Sequence, residues 1–329
     1  MALLQTRNLS VTFSTADGPV HAVNDISFNL CRGEILAIVG ESGSGKSQTA
    51  FAIMGLLARN AHAAGSVRFG GKEILGLHET SMARIRASDI AMIFQNPMTS
   101  LNPYKRISSQ MTEVLRLHQG LSRREARFQC IEMLKSVNLA DAEIRFEQFP
   151  HECSGGMRQR IMIAMSLLCR PRILIADEPT TALDVTIQSQ IVELLKTIRQ
   201  VYGTTILLIT HDLGLVAGCS DRVMVMYGGR VMETGPTEEI FAAPVHPYTA
   251  TLLEAVPRLD REVSELPSIP GNPPNMLGPI PEGCPFSPRC QVGDQTCFTR
   301  IPEVSRSGQR SWACLKRDKG TGHETVAGN

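Results

Sequence analysis

The segment Gly40-Glu41-Ser42-Gly43-Ser44-Gly45-Lys46-Ser47 constrains this chain more than any other. It follows the short apolar run Ile35–Val39 and leads into the helix-forming stretch Gln48–Leu57. The GxxxxGK[ST] pattern therefore stands in the strand–loop–helix setting that a phosphate loop requires. Glycines let such a backbone curl until several N–H groups point inward at phosphate oxygens, beside the positive end of a helix. On this reading Ser42, Gly43, Ser44 and Gly45 form the cradle, Lys46 supplies charge for the β- and γ-phosphates, and the Ser47 hydroxyl is a Mg²⁺ ligand.

Such a loop needs a parallel sheet behind it, and the rest of the chain supplies candidates. The apolar runs Ile173–Ala176, Ile206–Thr210 and Val223–Met226 are each followed by a helical pattern, which predicts an α/β fold with a parallel sheet covered on both faces. The segments Leu3–Phe13 and Ala22–Leu30 alternate around the turn Ala16-Asp17-Gly18-Pro19 and predict an added antiparallel portion. The stretch Ser81–Val137, rich in helix formers and charge, reads as a helical insertion. Twelve of the nineteen prolines lie from Pro244 onward, so the last part reads as an ordered but irregular tail. The net charge of +1 in 329 residues argues against a dedicated nucleic-acid binder. No apolar run approaches the ~20 residues of a membrane-spanning helix. Met1–Ser14 has no basic region leading into an apolar stretch. The expectation is a soluble chain of a reducing cytoplasm.

Two further motifs carry chemistry. The run Ile173-Leu174-Ile175-Ala176 ends in Asp177-Glu178, and acids at the end of a parallel strand sit in the crevice where open α/β sheets bind ligands. Asp177 suits a Mg²⁺ shell and Glu178 suits a general base polarising water. The second motif, Cys153-Ser154-Gly155-Gly156-Met157-Arg158-Gln159, opens the helical stretch Arg160–Leu168. A capping serine and two glycines at a helix start make a second anion site.

With these motifs in one chain, the sequence resembles the nucleotide-binding subunit of an ABC transporter, and Ser154-Gly155-Gly156 matches the family's signature. The resemblance implies a RecA-like parallel core, an N-terminal antiparallel β subdomain and a helical signature subdomain at about 96–165. These lie within a nucleotide-binding domain 1–245, followed by a Pro/Cys-rich C-terminal extension 246–329. It also implies that Gln95, in Phe94-Gln95-Asn96-Pro97, contacts Mg²⁺ and water, and that Asp184 belongs to the D-loop. His211, in Ile209-Thr210-His211-Asp212, matches the switch histidine, and Phe13 matches the aromatic residue that stacks on adenine. Two flanking positions depart from the pattern: Cys153 stands where Leu is usual and Met157 where Gln is usual. In the family, ATP is sandwiched between the phosphate loop of one subunit and the signature of a second, which is here expected to be a paralogue.

The tail narrows the resemblance. Ala243-Pro244-Val245-His246-Pro247-Tyr248-Thr249, Ile269-Pro270-Gly271-Asn272-Pro273-Pro274 and Gly283-Cys284-Pro285-Phe286 look like peptide- and nickel-importer ATPases. The nearest likeness is to the first of the two ATPase subunits of oligopeptide permeases; Val11-Thr12-Phe13-Ser14-Thr15 and Ala255-Val256-Pro257-Arg258-Leu259-Asp260 contribute to it. This implies an ATPase driving oligopeptide import, with dipeptide or nickel cargo as alternatives. Its partners would be two transmembrane permease subunits and, indirectly, a substrate-binding protein, at the cytoplasmic face of the inner membrane. A soluble ABC ATPase of DNA repair or translation fits less well, because only one ATPase unit is present. A regulatory module without turnover is disfavoured by the presence of Lys46, Asp177, Glu178 and His211 together.

Nine cysteines divide into two groups. Cys31, Cys130, Cys153, Cys169 and Cys219 are scattered and read as small buried hydrophobes. Cys284, Cys290, Cys297 and Cys314 gather in the tail, where a reducing compartment makes disulfides improbable. They suggest a thiolate cage, zinc or iron–sulfur. The short-spaced knuckles of zinc sites are missing, so a structural 4Fe-4S cluster, which the resembled subfamily implies, is the expectation, with zinc or no metal as alternatives.

Overall fold

The computed structural model describes residues 2–95, 100–181, 184–255 and 269–317. Asn96 and Pro97 of the Gln95 motif, Ala182 and Leu183 before Asp184, and the Val256–Asp260 phrase lie outside the described residues.

Two long strands, β1 (Ala2–Thr15) and β2 (Gly18–Cys31), pair antiparallel around the tight turn at Ala16-Asp17. The chain then passes through β3 (Ile35–Val39), α1 (Lys46–Met54), β4 (Ala61–Phe69) and the short β5 (Lys72–Glu73). β4 and β5 complete a four-stranded antiparallel sheet in the order β2-β1-β4-β5. After α2 (Glu79–Ile85) comes β6 (Ile90–Ile93). Helices α3 (Ile107–Gln119), α4 (Arg123–Ser136), α5 (Ala142–Phe146) and α6 (Gly155–Leu167) follow. Ser122 and Glu125 start α4 with a reciprocal capping box.

Strand and helix then alternate through β7 (Ile173–Asp177), α7 (Val185–Tyr202), β8 (Thr205–Ile209), α8 (Leu213–Cys219) and β9 (Arg222–Tyr227). Antiparallel β10 (Arg230–Pro236), α9 (Thr237–Ala242) and α10 (Pro247–Glu254) come next. The C-terminal region carries the one-turn α11 (Gln295–Thr299) and the hairpin β11 (Ser305–Ser307) and β12 (Arg310–Trp312).

Among the described residues the main sheet has eight strands in the order β11-β12-β10-β9-β3-β8-β7-β6, of which β9, β3, β8, β7 and β6 run parallel. Its central strands β3, β7 and β8 are buried along their whole length and almost wholly apolar because both faces are covered. Leu174, Ala176, Ile206 and Leu208 pack toward the helices of the α3–α6 region, while Ile173, Ile175, Leu207 and Ile209 pack toward the antiparallel sheet and α1.

Two expectations need correction. The stretch Ser81–Val137 is not wholly helical: Ile90–Ile93 is an edge strand in register with Ile173–Ala176. Its four apolar residues are too few to show a period against charged flanks. The tail is also more closely integrated than proline content implied. β12 pairs with β10, Glu233 opposite Trp312, and Phe286 is 2% exposed, between the rings of Tyr227 and Tyr248 at 5.3 and 5.2 Å. Single aromatic anchors spaced between prolines leave no periodic signal. No helix among the described residues is long and apolar enough to cross a membrane.

Candidate nucleotide site

The loop after β3 can curl only because of its glycines. Gly40 lies at φ 150° and Gly45 at φ 97°; a Cβ on the first would stand 2.1 Å from the Met226 carbonyl oxygen, and on the second 2.3 Å from that of Ala22. Gly45 caps α1 without a side chain to satisfy the free N–H groups of the first turn, which leaves the donors and dipole that an anion needs. Lys46 is buried, and its Nζ donates to the carbonyls of Gly40 and Glu41 at 2.8 and 2.9 Å and toward Ser44 Oγ at 3.4 Å. Burial pushes its pKa down, against the opposing pull of the Glu178, Asp177 and Glu41 carboxylates.

Parallel register brings the acids to this loop. Asp177 is the last residue of β7, opposite Ile209 of β8, and the β3 residue Ile38 also pairs with Ile209. The Ser47 hydroxyl donates to Asp177 Oδ1 at 3.0 Å. Burial raises the Asp177 carboxyl to about 6, while the bond from Ser47 pulls the other way. These adjacent hard oxygen donors, Asp177 buried and Ser47 half-buried, fit a Mg²⁺ ion.

Glu178 has φ 47°, and its N–H donates to the Ile209 carbonyl at 2.8 Å. Gln95 Nε2 donates to its Oε2 at 2.6 Å, Thr181 Oγ1 donates to the same oxygen at 2.9 Å, and His211 Nδ1 lies 3.3 Å from Oε1. Although burial opposes ionisation, the bonds from Thr181 and His211, with the charge of Lys46, hold the carboxyl below its ordinary range.

A cleft of about 420 Å³ is lined by Ser42–Gln48, Gln95 and Glu178, together with Phe13, Val20, Ala22 and Met276. The structure thus gathers Phe13, Ser42, Gly43, Ser44, Gly45, Lys46, Ser47 and Gln95 with Glu178, and places Asp177 and His211 in direct contact with members of that group. It does not bring in the signature. Ser154 and Gly155 are exposed, Ser154 Oγ accepts from the Met157 N–H at 3.3 Å as the cap of α6, and none of Ser154, Gly155 and Gly156 lines the cleft. Asp184 likewise caps α7, accepting from the Ile187 N–H at 2.9 Å, and does not line the cleft.

The cysteine expectations fare differently. Cys130 and Cys153 are buried, but Cys31 is exposed and Cys169 and Cys219 are half-buried. Cys153 packs in the helical core with its thiol pKa raised chiefly by burial. The iron–sulfur expectation for Cys284, Cys290, Cys297 and Cys314 is not supported. Among the described residues no three His, Cys, Asp or Glu side chains are arranged to hold a metal ion. Cys297 and Cys314 are buried, while Cys284 and Cys290 pack beside Phe286 and Tyr227. Burial, ahead of the other three thiols, raises Cys284 to about 11.

Several site residues escaped the sequence. Thr181 touches the Glu178 carboxylate, and buried Gln159 of α6 donates to the Pro179 carbonyl at 2.6 Å, linking the signature helix to the acidic loop. Met276, Tyr248 and Arg289 reach the phosphate loop or its cleft from the C-terminal region. Sequence distance hides the last three, whereas Thr181, three residues from Glu178, lay within reach of local reading.

Comparison with known proteins agrees with this geometry. Residues 23–181 match the ABC transporter family, and residues 232–297 match the oligopeptide/dipeptide transporter C-terminal region. The chain is 56% identical over 314 residues to the oligopeptide transport ATP-binding protein OppD of Salmonella typhimurium, covering 95% of this chain and 93% of that one. It is 47% identical over 330 residues to the dipeptide transport ATP-binding protein DppD of Bacillus subtilis, covering 99% and 98%. Among solved structures, a dimeric ATP-binding cassette in a post-hydrolysis state bound to ADP and Pi superposes with a TM-score of 0.64 at 27% identity, covering 71% of this chain and 98% of that one. With its phosphate loop, paired acids and separate signature helix, the chain belongs to the ABC transporter ATP-binding proteins of the oligopeptide/dipeptide type.

Proposed function

We propose that this chain is the ATP-hydrolysing subunit that energises oligopeptide import by an ABC transporter. One observation carries the reading: the Glu178 carboxylate is gripped by Gln95, Thr181 and His211 beside a phosphate loop whose Ser47 is bonded to Asp177. The cleft suits a nucleoside triphosphate, with Phe13 and Met276 at the base end and Lys46 at the phosphate end. Mg²⁺, held by Ser47 and Asp177 with Gln95 nearby, would neutralise charge shared between the β- and γ-phosphates.

The chain's own groups account for the rest. Glu178, kept ionised by its partners, accepts the proton of the water that attacks the γ-phosphorus. The bond from that phosphorus to the β-phosphate oxygen breaks, and ADP leaves with the electron pair. Lys46 and the N–H groups at the start of α1 stabilise charge as it moves onto that oxygen. His211, resting on Glu178, orients the γ-phosphate.

Signature residues outside the cleft imply a second cassette. Ser154, Gly155 and Gly156 would close over the nucleotide of a partner ATPase, a paralogue, while Asp184 lies at that junction. Two permease subunits at the inner membrane, supplied by a substrate-binding protein, would convert closure and reopening into transport. Oligopeptides are preferred over dipeptides because identity is higher to the oligopeptide relative.

Replacing the native chain in cells by Lys46→Ala tests the whole reading. Uptake of a labelled oligopeptide should fall at least tenfold, since the loop loses its only charge for the phosphates. Uptake at the wild-type rate would contradict it.

A further inference from the structure

Glu41, the second residue of the phosphate loop, is held from outside the cassette's nucleotide-facing side. Its backbone N–H donates to Tyr248 Oη at 3.0 Å, and its carboxylate Oε2 accepts from Arg289 Nη1 at 2.7 Å. The Arg289 side chain is 5% exposed. Its remaining donors are anchored: Nε on the Pro270 carbonyl at 2.7 Å, Nη2 on that of Ile269 at 3.0 Å, and Nη1 also on Tyr227 Oη at 3.0 Å. Tyr248 is fully buried, packed on Tyr227 and Phe286. Both contacts thus come from buried side chains of the C-terminal region and end on one loop residue, the one between Gly40 and Ser42. Glu41 is not electrostatically remote from the phosphates, because its carboxylate is among those that act on the Lys46 ammonium.

We infer that Arg289 and Tyr248 of the C-terminal region are positioning residues for the phosphate loop, acting through Glu41 and setting the affinity for nucleotide. Tyr248 fixes the direction of the Gly40–Glu41 peptide, whose other end, the Gly40 carbonyl, accepts from Lys46 at 2.8 Å. Arg289 fixes the side chain and cancels a carboxylate that otherwise repels an incoming polyphosphate within a Debye length. The C-terminal region is thereby part of the nucleotide site. This inference rests on the reading of the cleft as an ATP site.

The test measures binding of a fluorescent ATP analogue with Mg²⁺ to the full chain, by anisotropy, alongside circular dichroism. Arg289→Gln should raise the Kd roughly tenfold, the loss expected for a charge-assisted hydrogen bond. Adding Glu41→Gln should restore it to within about threefold of wild type, because no carboxylate is left to repel the phosphates. Arg289→Lys, which keeps the charge, should lie nearer to wild type than Arg289→Gln. A merely structural role for Arg289 would give no rescue by Glu41→Gln, and that result overturns the inference. Tyr248→Phe removes only the oxygen that accepts the loop N–H and should weaken binding about threefold. If Arg289→Gln does not fold, wild-type affinity in Tyr248→Phe overturns the inference by itself. Absence of binding in the wild-type chain would instead overturn the ATP reading on which it rests.

Discussion

Glu178 shows how single residues are fixed here against local preference. A φ of 47° costs a non-glycine residue about 1–2 kcal/mol, and the N–H bond to Ile209 with the carboxylate's bonds to Gln95 and Thr181 offset it. His246 is a second case. It is 1% exposed, and its Nδ1 accepts from the Tyr248 N–H at 3.0 Å as the cap of α10. His246-Pro247-Tyr248 thus starts the helix with a buried cap. Burial lowers the imidazole pKa from 6.5 to about 4. Between those values the unfolded chain binds more protons than the folded one, so the contribution is fully present above pH 6.5 and is lost as pH falls toward 4. It amounts to about 3 kcal/mol at most. Denaturant titrations at pH 7 and pH 5 should show a larger loss for wild type than for His246→Asn, whose amide oxygen keeps the cap. Equal losses in the two proteins would show that His246 does not titrate in this way.

At the scale of elements, the C-terminal hairpin is tied to the cassette by a buried charge. Glu233 of β10 is fully buried and accepts from Arg310 of β12 at 2.9 Å and from the backbone N–H groups of Val245 and His246, each at 2.9 Å. Arg310→Ala strands that carboxylate and should cost about 3 kcal/mol in chemical denaturation. Glu233→Gln in the same chain should recover part of it; an unfolding midpoint unchanged by Arg310→Ala would contradict this role.

Elements were legible where they are long or bounded by strong punctuation. β3, β7, β8 and β9 are each built on an apolar run of at least four residues, and the helices after β3 and Ser154 begin at residues that leave N–H groups free or cap them. β6 and β12 were not, because strands of four and three residues take their identity from the neighbour they pair with. In the site, Lys46, Ser47, Asp177 and Glu178 were readable from local motifs. Arg289, 248 residues from Glu41, was not. For the four tail cysteines spacing alone carried the cluster expectation, and among the described residues it gains no support.

For the whole molecule, the decisive fact is separation. One cleft gathers the phosphate loop, Gln95 and Glu178, while Ser154 and Gly155 stand exposed elsewhere on the same chain. On the proposed reading a second cassette completes the site, and Gln159 connects the exposed helix start to the acidic loop. The central claim is that Glu178 carries the chemistry of that site. Nucleotide binding and steady-state ATP hydrolysis, measured side by side on the reconstituted complex with wild type and Glu178→Gln, test it most directly. Binding should be retained while hydrolysis falls at least ~100-fold, the scale of a lost general base; turnover within a few-fold of wild type would contradict the claim.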